Sequence, residues 1–505
     1  MRLFFAVLTL AGCARVNPEK DFDRASALLR GHTEFDSGYT APGNELVRER
    51  IAKLLADGLT ADEAVQVGLL NNPSFQSAFL RIGASRADVV QSGLLTNPSI
   101  SLSVRFPEGG GRSNLTFGMA QELVDLWQIP VRRHVAEMEL EQVVLSVVNQ
   151  GVDLVAGIRG KCYTLLALQE TEAITREHLD LVRRSIDISE RRFKAGETSK
   201  LDVSLVRANM LQVQIDLIGT QRDRRIAETA LANAIGLGRS GDQWRLVDAL
   251  PQTLHPLDNE HEILDQGMTE RLDSQIAVAE IRQAEGELRR QYLNFLPSVA
   301  AGVEWERLET RALPGRKIMN DTARASFLND QLTAPDIQTR GERNLDHSQI
   351  IDSLLGPTFA ITLPIWDQNQ AQIAKARFKV IELRTKYEGL LNQVAQEIGQ
   401  AITAYRAGLQ LVDFYKNEGL PQAEENLEAA RSAYEAGEQN VVALIEAQEN
   451  RLTQRRAYVA ARRDLAQAAA ELARSVGGRL PEPAASRPVK IPHDAQSATP
   501  ADSPG

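Results

Sequence analysis

The chain is short of aromatics, cysteine, histidine and net positive charge, and each shortage excludes something. Aromatics make up 5% of its 505 residues and charged residues 25%. That balance suits long solvated helices better than one large core. The two cysteines, Cys13 and Cys162, form no C-x-x-C, so neither a zinc site nor a disulfide framework is expected. Cys162 reads as a small apolar residue inside a helix. His32, His134, His178, His255, His261, His347 and His493 offer no pair at metal-ligand helical spacing. A nucleophile elbow and a phosphate loop are also missing. The chain is therefore not expected to be an enzyme or to hold a metal or cofactor. A net charge of −10 argues against a nucleic-acid partner, which needs a basic surface. After the N-terminal run Leu3 to Leu10, no stretch reads as the roughly 20 apolar residues of a membrane-spanning helix. Gly236-Leu237-Gly238-Arg239-Ser240-Gly241 matches the dinucleotide fingerprint, but it closes a helix instead of following a strand and opening one. It reads as a Gly-rich helix stop.

What is present is a repeat. Arg192-Phe193-Lys194-Ala195-Gly196-Glu197-Thr198-Ser199-Lys200-Leu201-Asp202-Val203 returns as Ala433-Tyr434-Glu435-Ala436-Gly437-Glu438-Gln439-Asn440-Val441-Val442-Ala443-Leu444, at an offset of 241. The same offset sets Ala232-Asn233-Ala234-Ile235-Gly236 against Ala473-Arg474-Ser475-Val476-Gly477. Each copy reads as a turn between two long helices. An aromatic closes the incoming helix, glycine supplies the left-handed C′ position, and Ser199 or Asn440 caps the outgoing helix. Two long helical hairpins follow from it.

Taken in order, the chain opens with Met1-Arg2, a short apolar run and Leu10-Ala11-Gly12-Cys13, the pattern of a secretory signal with small residues before its cut. The charged start is unusually short, which leaves room for a start codon upstream. Residues 13–58 read as an extended tether with one short helix, Glu45 to Leu55. The first repeat spans 59–236. It opens with a capping box from Thr60 to Glu63 on a helix that runs to about Ser92, disturbed near Asn71-Asn72-Pro73. A β-hairpin follows over 99–120, then a helix from Val131 to Phe193, about 95 Å long at 1.5 Å per residue. The tip turn at 193–202 and a shorter helix complete this half. Residues 237–261 form a connector.

The second repeat, 262–478, repeats the plan. Pro297 stands where Pro98 stood, at an offset of 199. Strands are expected at 298–305 and 358–365, with a polar loop at 307–355 whose length marks it as functional or disordered. A long helix from Gln370 to Tyr434 contains Pro421, and the tip turn at 434–443 and a last helix follow. The Pro-, Ala- and Ser-rich tail, 479–505, reads as disordered.

The strands alternate without a break. Ser99, Ser101, Ser103 and Arg105 fall on one face; Ile100, Leu102, Val104 and Phe106 fall on the other. Val299, Ala301, Val303 and Trp305 share a face of the third strand. About eight residues at roughly 3.3 Å each give about 26 Å, the height of an outer-membrane apolar band. Four strands cannot close a barrel, and open edges are not tolerated in lipid. Several chains must share one barrel, and the polar helices must stand in the periplasm.

This plan, together with Leu94-Leu95-Thr96-Asn97-Pro98 and Phe295-Leu296-Pro297 before strands and Tyr434-Glu435-Ala436-Gly437 at a tip, resembles the TolC-like outer-membrane efflux proteins. The resemblance covers about 59 to 478. It implies an α+β membrane protein: a homotrimer whose four strands per chain build a twelve-stranded transmembrane β-barrel above an α-helical tunnel. It implies passive export as the exit duct of a tripartite efflux or type I secretion system, with a periplasmic adaptor and an inner-membrane pump as partners. Leu-Ala-Gly-Cys looks like the lipobox, implying cleavage after residue 12 and a diacylglycerol and palmitate anchor on Cys13. Ala14 then favours the outer membrane and its lipid.

The resemblance also implies a gate at the periplasmic tip, closed at rest and docked by the adaptor at Gly196 and Gly437. Asp202 matches the family's acidic position. Ala443 stands at the second equivalent, with Glu446 one helical turn further on the same face. Tyr434 matches the latch aromatic, and Gln439 stands where a basic latch residue occurs. Asp202 also completes a capping box with Ser199, so gate and cap both stand as readings of it. The alternative for the whole chain is a periplasmic coiled-coil lipoprotein acting as adaptor or scaffold. An adaptor would carry one hairpin flanked by β-rich domains, and a scaffold would not need the alternating strands. The cargo is not encoded in any motif.

Overall fold

The computed structural model describes residues 15–39, 44–106, 113–238, 244–252, 254–257, 259–310, 316–335, 337, 339–341 and 350–480. The signal segment, Cys13 and the tail beyond 480 lie outside them. The elements in order are α1 (Glu19–Thr33), α2 (Glu45–Ala56), α3 (Ala61–Asn71), α4 (Pro73–Ser92), β1 (Ser99–Arg105), β2 (Asn114–Glu122), α5 (Asp125–Lys194), α6 (Lys200–Ala234), α7 (Glu260–Glu270), α8 (Leu272–Leu293), β3 (Ser298–Thr310), α9 (Arg316–Leu328), β4 (Ile350–Thr362), α10 (Gln370–Phe414), a π-helical turn (Tyr415–Gly419), α11 (Leu420–Ala436) and α12 (Val441–Ser475). They divide into a helical unit (1–87, 137–281, 381–505) and a strand unit (88–136, 282–380).

In the strand unit the four strands form one antiparallel sheet in the order β1-β2-β3-β4. Leu102 faces Phe117, Phe117 faces Trp305, and Trp305 faces Leu355. Directly paired residues share a face, so this ladder is continuous across the sheet. Helix ends are tied beneath it: the Thr96 N–H donates to Asp125 at 2.5 Å, and Arg132 pairs with Asp125 at 3.0 Å. The Gln128 amide donates to Asn294 at 2.9 Å.

In the helical unit the two repeats build the same joint. Gly68 on α3 meets Ile158 on α5, and Gly267 on α7 meets Ile398 on α10. A Cβ at either glycine would sit 2.2 or 2.3 Å from the isoleucine Cδ1, so a larger residue would push the end of that side chain aside. The second joint seats a core of Val394, Ile398, Tyr405, Leu465 and Leu472. The connector is pinned to this unit: Arg462 donates to the carbonyls of Leu250 (2.6 Å) and Pro251 (3.4 Å), and the Tyr405 hydroxyl to that of His255 at 2.7 Å.

Several expectations are corrected. The N-terminal stretch is not an extended tether. α1 buries Ala25 and Leu29, pairs Asp21 with Arg86 at 2.5 Å and packs Phe22 edge-on to Phe79. The helix expected over 59–92 is two, because Asn72 before Pro73 takes an extended backbone (φ −69°, ψ 115°), as a residue before proline does. The next helix starts at Asp125, not Val131, and accepts Pro130 near its start. The third and fourth strands run 298–310 and 350–362. Pairing continues past Trp305, where Glu306 and Arg307 erase the alternation that marks a strand. The loop between them carries α9. The helix expected from 370 to 434 is interrupted by the π-helical turn just before Pro421, whose missing N–H cannot bond within the helix. One helix, α5, does contain a window long and apolar enough to cross a membrane, 44% of it buried within the chain. Its Val144, Val147, Val148, Val152 and Ile158 are buried.

Candidate functional site

Both tip turns close by the same local chemistry. In the first, Glu197 N–H reaches back to the Arg192 carbonyl at 2.9 Å and Gly196 takes φ +81°. In the second, Glu438 N–H reaches the Ala433 carbonyl at 2.9 Å and Gly437 takes φ +77°. This six-to-one bond with a left-handed glycine satisfies the last carbonyls of each incoming helix. Ser199 caps α6 by accepting from Asp202 N–H at 3.1 Å, and Asn440 caps α12 by accepting from Ala443 N–H at 3.1 Å.

Asp202 returns the first cap. Its carboxylate accepts from the Thr198 hydroxyl at 2.6 Å, the Ser199 N–H at 3.0 Å and the Ser199 hydroxyl at 2.8 Å. The Thr198 bond, then the two Ser199 bonds and the nearby Arg192 charge, hold it below the ordinary aspartate value against a smaller opposing effect of burial. Glu446 is exposed on α12, and Gln439 is exposed in the second turn. No hydrogen bond or ion pair joins Asp202 to Tyr434, Gln439 or Glu446 among the described residues.

Tyr434 is the centre of the junction between hairpins. It is 2% exposed, and its hydroxyl bonds Ser189 of α5 at 2.9 Å. The Arg192 guanidinium lies over its ring, 4.8 Å from the centroid, and donates to its carbonyl. The same guanidinium pairs with Glu197 at 3.4 Å. A little further along, the buried Gln448 amide donates to Ser185 at 2.8 Å. Val182, Val206, Leu427, Val441 and Leu444 fill the space between. Sequence reasoning found Tyr434 but missed Arg192 and Ser189. The signal was available: the repeat puts Ala433 opposite Arg192, so only one tip can supply the cation.

The sheet offers a second candidate surface. Ile100 is 67% exposed and Leu102 69%, and Val104, Phe117, Val303, Leu355, Phe359 and Ile361 are exposed with them. Ser101 lies on the other face, its hydroxyl 2.7 Å from where a Cβ on Gly118 would stand. Strands β1 and β4 each have one unpaired edge among the described residues.

A family model described as outer membrane efflux protein matches residues 64–237 and 264–478, one match for each repeat. Comparison with curated proteins finds no match. Solved structures share the fold. The outer membrane protein VceC from Vibrio cholerae is 18% identical, with a TM-score of 0.63, 83% of this chain and 96% of that one being covered. The CmeC outer membrane channel of Campylobacter jejuni is 16% identical, with a TM-score of 0.62 and coverage of 84% and 86%. The open state of the MtrE outer membrane channel of Neisseria gonorrhoeae is 17% identical, with a TM-score of 0.62 and coverage of 83% and 89%.

Proposed function

The chain belongs to the outer membrane efflux protein family, and from that membership we propose how its copies assemble and gate. It is an outer-membrane channel of a tripartite efflux or secretion system, a passive conduit and not an enzyme. Three copies join β4 of one to β1 of the next and close a twelve-stranded barrel. The observation that carries this reading is the exposed apolar ladder from Ile100 through Phe117 to Phe359, on a sheet with two open edges. Such edges are compatible with lipid only when paired. A second stripe supports the trimer: Leu211, Ile215, Ile218 and Ile226 stand exposed on α6 at the spacing of a helix–helix seam.

In this assembly Cys13 carries the lipid anchor, with several acyl chains holding firmly where one would not. The turns at Gly196 and Gly437 receive the periplasmic adaptor, behind which stands the inner-membrane pump. Asp202 and Glu446 supply the negative charge of the narrow opening, and Tyr434 and Gln439 belong to its latch. The test is a pair of substitutions on adjacent β1 positions. Ile100→Arg puts a charge in the lipid band, costing roughly 2–4 kcal/mol at the midplane, and should abolish trimer assembly in the outer membrane. Ser101→Arg should assemble and change conductance. The reverse order would place the wrong face in lipid.

A further inference from the structure

Between β3 and β4 the chain builds α9, a helix that the channel reading does not use. Met319 is 68% exposed and Phe327 87%, with exposed Ala323 midway between them. Four-residue spacing puts all three on one face. The chain after the helix turns back on the flank of that face: Thr333 N–H donates to the Ser326 hydroxyl at 3.0 Å. Ile318, Thr322 and Ala325, further round, are half-buried, and the Met319–Ala323–Phe327 stripe is left uncovered. Beyond the helix, Leu332 and Ile337 are also exposed.

Two observations decide what covers the stripe. The helix carries Arg316, Lys317 and Arg324 against Asp321 alone, in a chain whose net charge is −10. It also begins six residues after β3 ends, so it continues from strands whose outward face is apolar. Met319 and Phe327, with Leu328 exposed beside them, are too little for a stable protein contact, which buries about 800 Å² on each partner. They are enough for a short interfacial helix, which sets its apolar face at the headgroup boundary with basic residues beside it. We propose that α9 lies on the phosphate-bearing headgroup layer around the barrel, with Met319, Ala323 and Phe327 at the acyl boundary and Arg324 at the phosphates. This rests on the channel reading above.

The test is spin labelling of the full-length protein in vesicles of phosphatidylcholine and phosphatidylglycerol. Single labels go on Ala323→Cys, which keeps Met319 and Phe327, on Asp321→Cys, and on Leu102→Cys in β1. Cys162 is buried, its thiol pushed up to about 12 by that burial, and does not compete for the label; any signal of the parent chain is subtracted. Collision with oxygen reports lipid, and collision with a water-soluble nickel chelate reports solvent. The Ala323 label should favour oxygen over the chelate several-fold more than the Asp321 label. Adding Met319→Asp and Phe327→Asp should return the Ala323 label to the chelate. If the Leu102 label is in lipid while the Ala323 and Asp321 labels are equally open to the chelate, α9 is in water and the proposal falls alone. A Leu102 label open to the chelate would overturn the channel reading and this proposal with it. An Ala323 label shielded from both probes would mean a protein partner and would also overturn it.

Discussion

The two tip turns share their backbone and differ in almost every side-chain contact. Phe193 and Tyr434 occupy equivalent positions of the repeat, yet Phe193 is 44% exposed and Tyr434 2%. The first tip provides a charged arm, Arg192, and a charged residue, Asp202, that closes a capping box on Ser199. The second provides the aromatic that the arm clasps, and a neutral cap, Asn440. A duplicated hairpin has thus become a donor and a receiver. The backbone could stay common because the glycine turn satisfies itself locally. The side chains differ where each tip meets the other within the chain.

The sharpest way to break this comparison is to truncate both aromatics. Tyr434→Ala should destabilise the helical unit by about 3–4 kcal/mol, the usual cost of emptying a large aromatic site. It also strands Ser189 and the guanidinium. Phe193→Ala should cost under about 1 kcal/mol, as exposed sites do. Chemical denaturation of the detergent-solubilised protein, followed by helical signal, reads both. Equal losses would mean that the tips are interchangeable.

Arg192→Ala comes next. It removes a charge-assisted bond to the Tyr434 carbonyl and the contact over the ring, about 2 kcal/mol together. Arg192→Lys should recover less than half, because an ammonium cannot span the ring and the carbonyl as the planar guanidinium does. Full rescue by lysine would reduce the clasp to simple charge.

The repeat and its glycine turns were legible because glycine at a left-handed position and a capping serine or asparagine leave a local trace. The strand face was legible from Ser99 to Phe106 because its period is two. Legibility stopped where partners are remote. The repeat singles out Arg192 as the cation of one tip, but nothing near it in the chain names Tyr434, 242 residues away, as what it clasps. The packing of α1 depends on Asp21 finding Arg86 and Phe22 finding Phe79, none of which leaves a periodic trace. The last turns of β3 were hidden for the opposite reason: polar residues on both faces erased the alternation while the backbone ladder went on.

The caps should differ in acid. The Asp202 carboxylate is held below its ordinary value of 3.8, so the folded state favours its ionised form. That stabilisation is complete above the unfolded value and is lost as the pH falls through the depressed folded one. Amide protection over residues 199–203, corrected for intrinsic exchange, should decline below pH 3.8, while residues 440–444 hold theirs. Asp202→Asn should cost the first tip about 1 kcal/mol, the usual worth of a cap, and remove the difference. Parallel decline in both tips would show that the cap charge is irrelevant.

The smallest stability effect belongs to Glu446, and for that reason it separates gating from folding most cleanly. Asp202 is engaged by three donors at its own helix start, so any change at Asp202 mixes its cap with the proposed gate. Glu446 is exposed, and among the described residues no hydrogen bond from its own helix start reaches it. Glu446→Gln should therefore leave stability within about 0.5 kcal/mol, as surface changes do. In the proposed trimer, however, each copy would add its carboxylate to one narrow opening, where low-dielectric walls would strengthen the field of like charges. Single-channel recording in planar bilayers should show lower cation selectivity and weaker block by multivalent cations in Glu446→Gln. The same recording on Asp202→Asn should show a shift of similar direction together with the loss of stability already expected. If Glu446→Gln conducts like the parent and Asp202→Asn changes stability alone, neither carboxylate faces the opening. The asymmetry of the tips would then be a matter of folding only, with Asp202 a cap and Glu446 a solvated side chain.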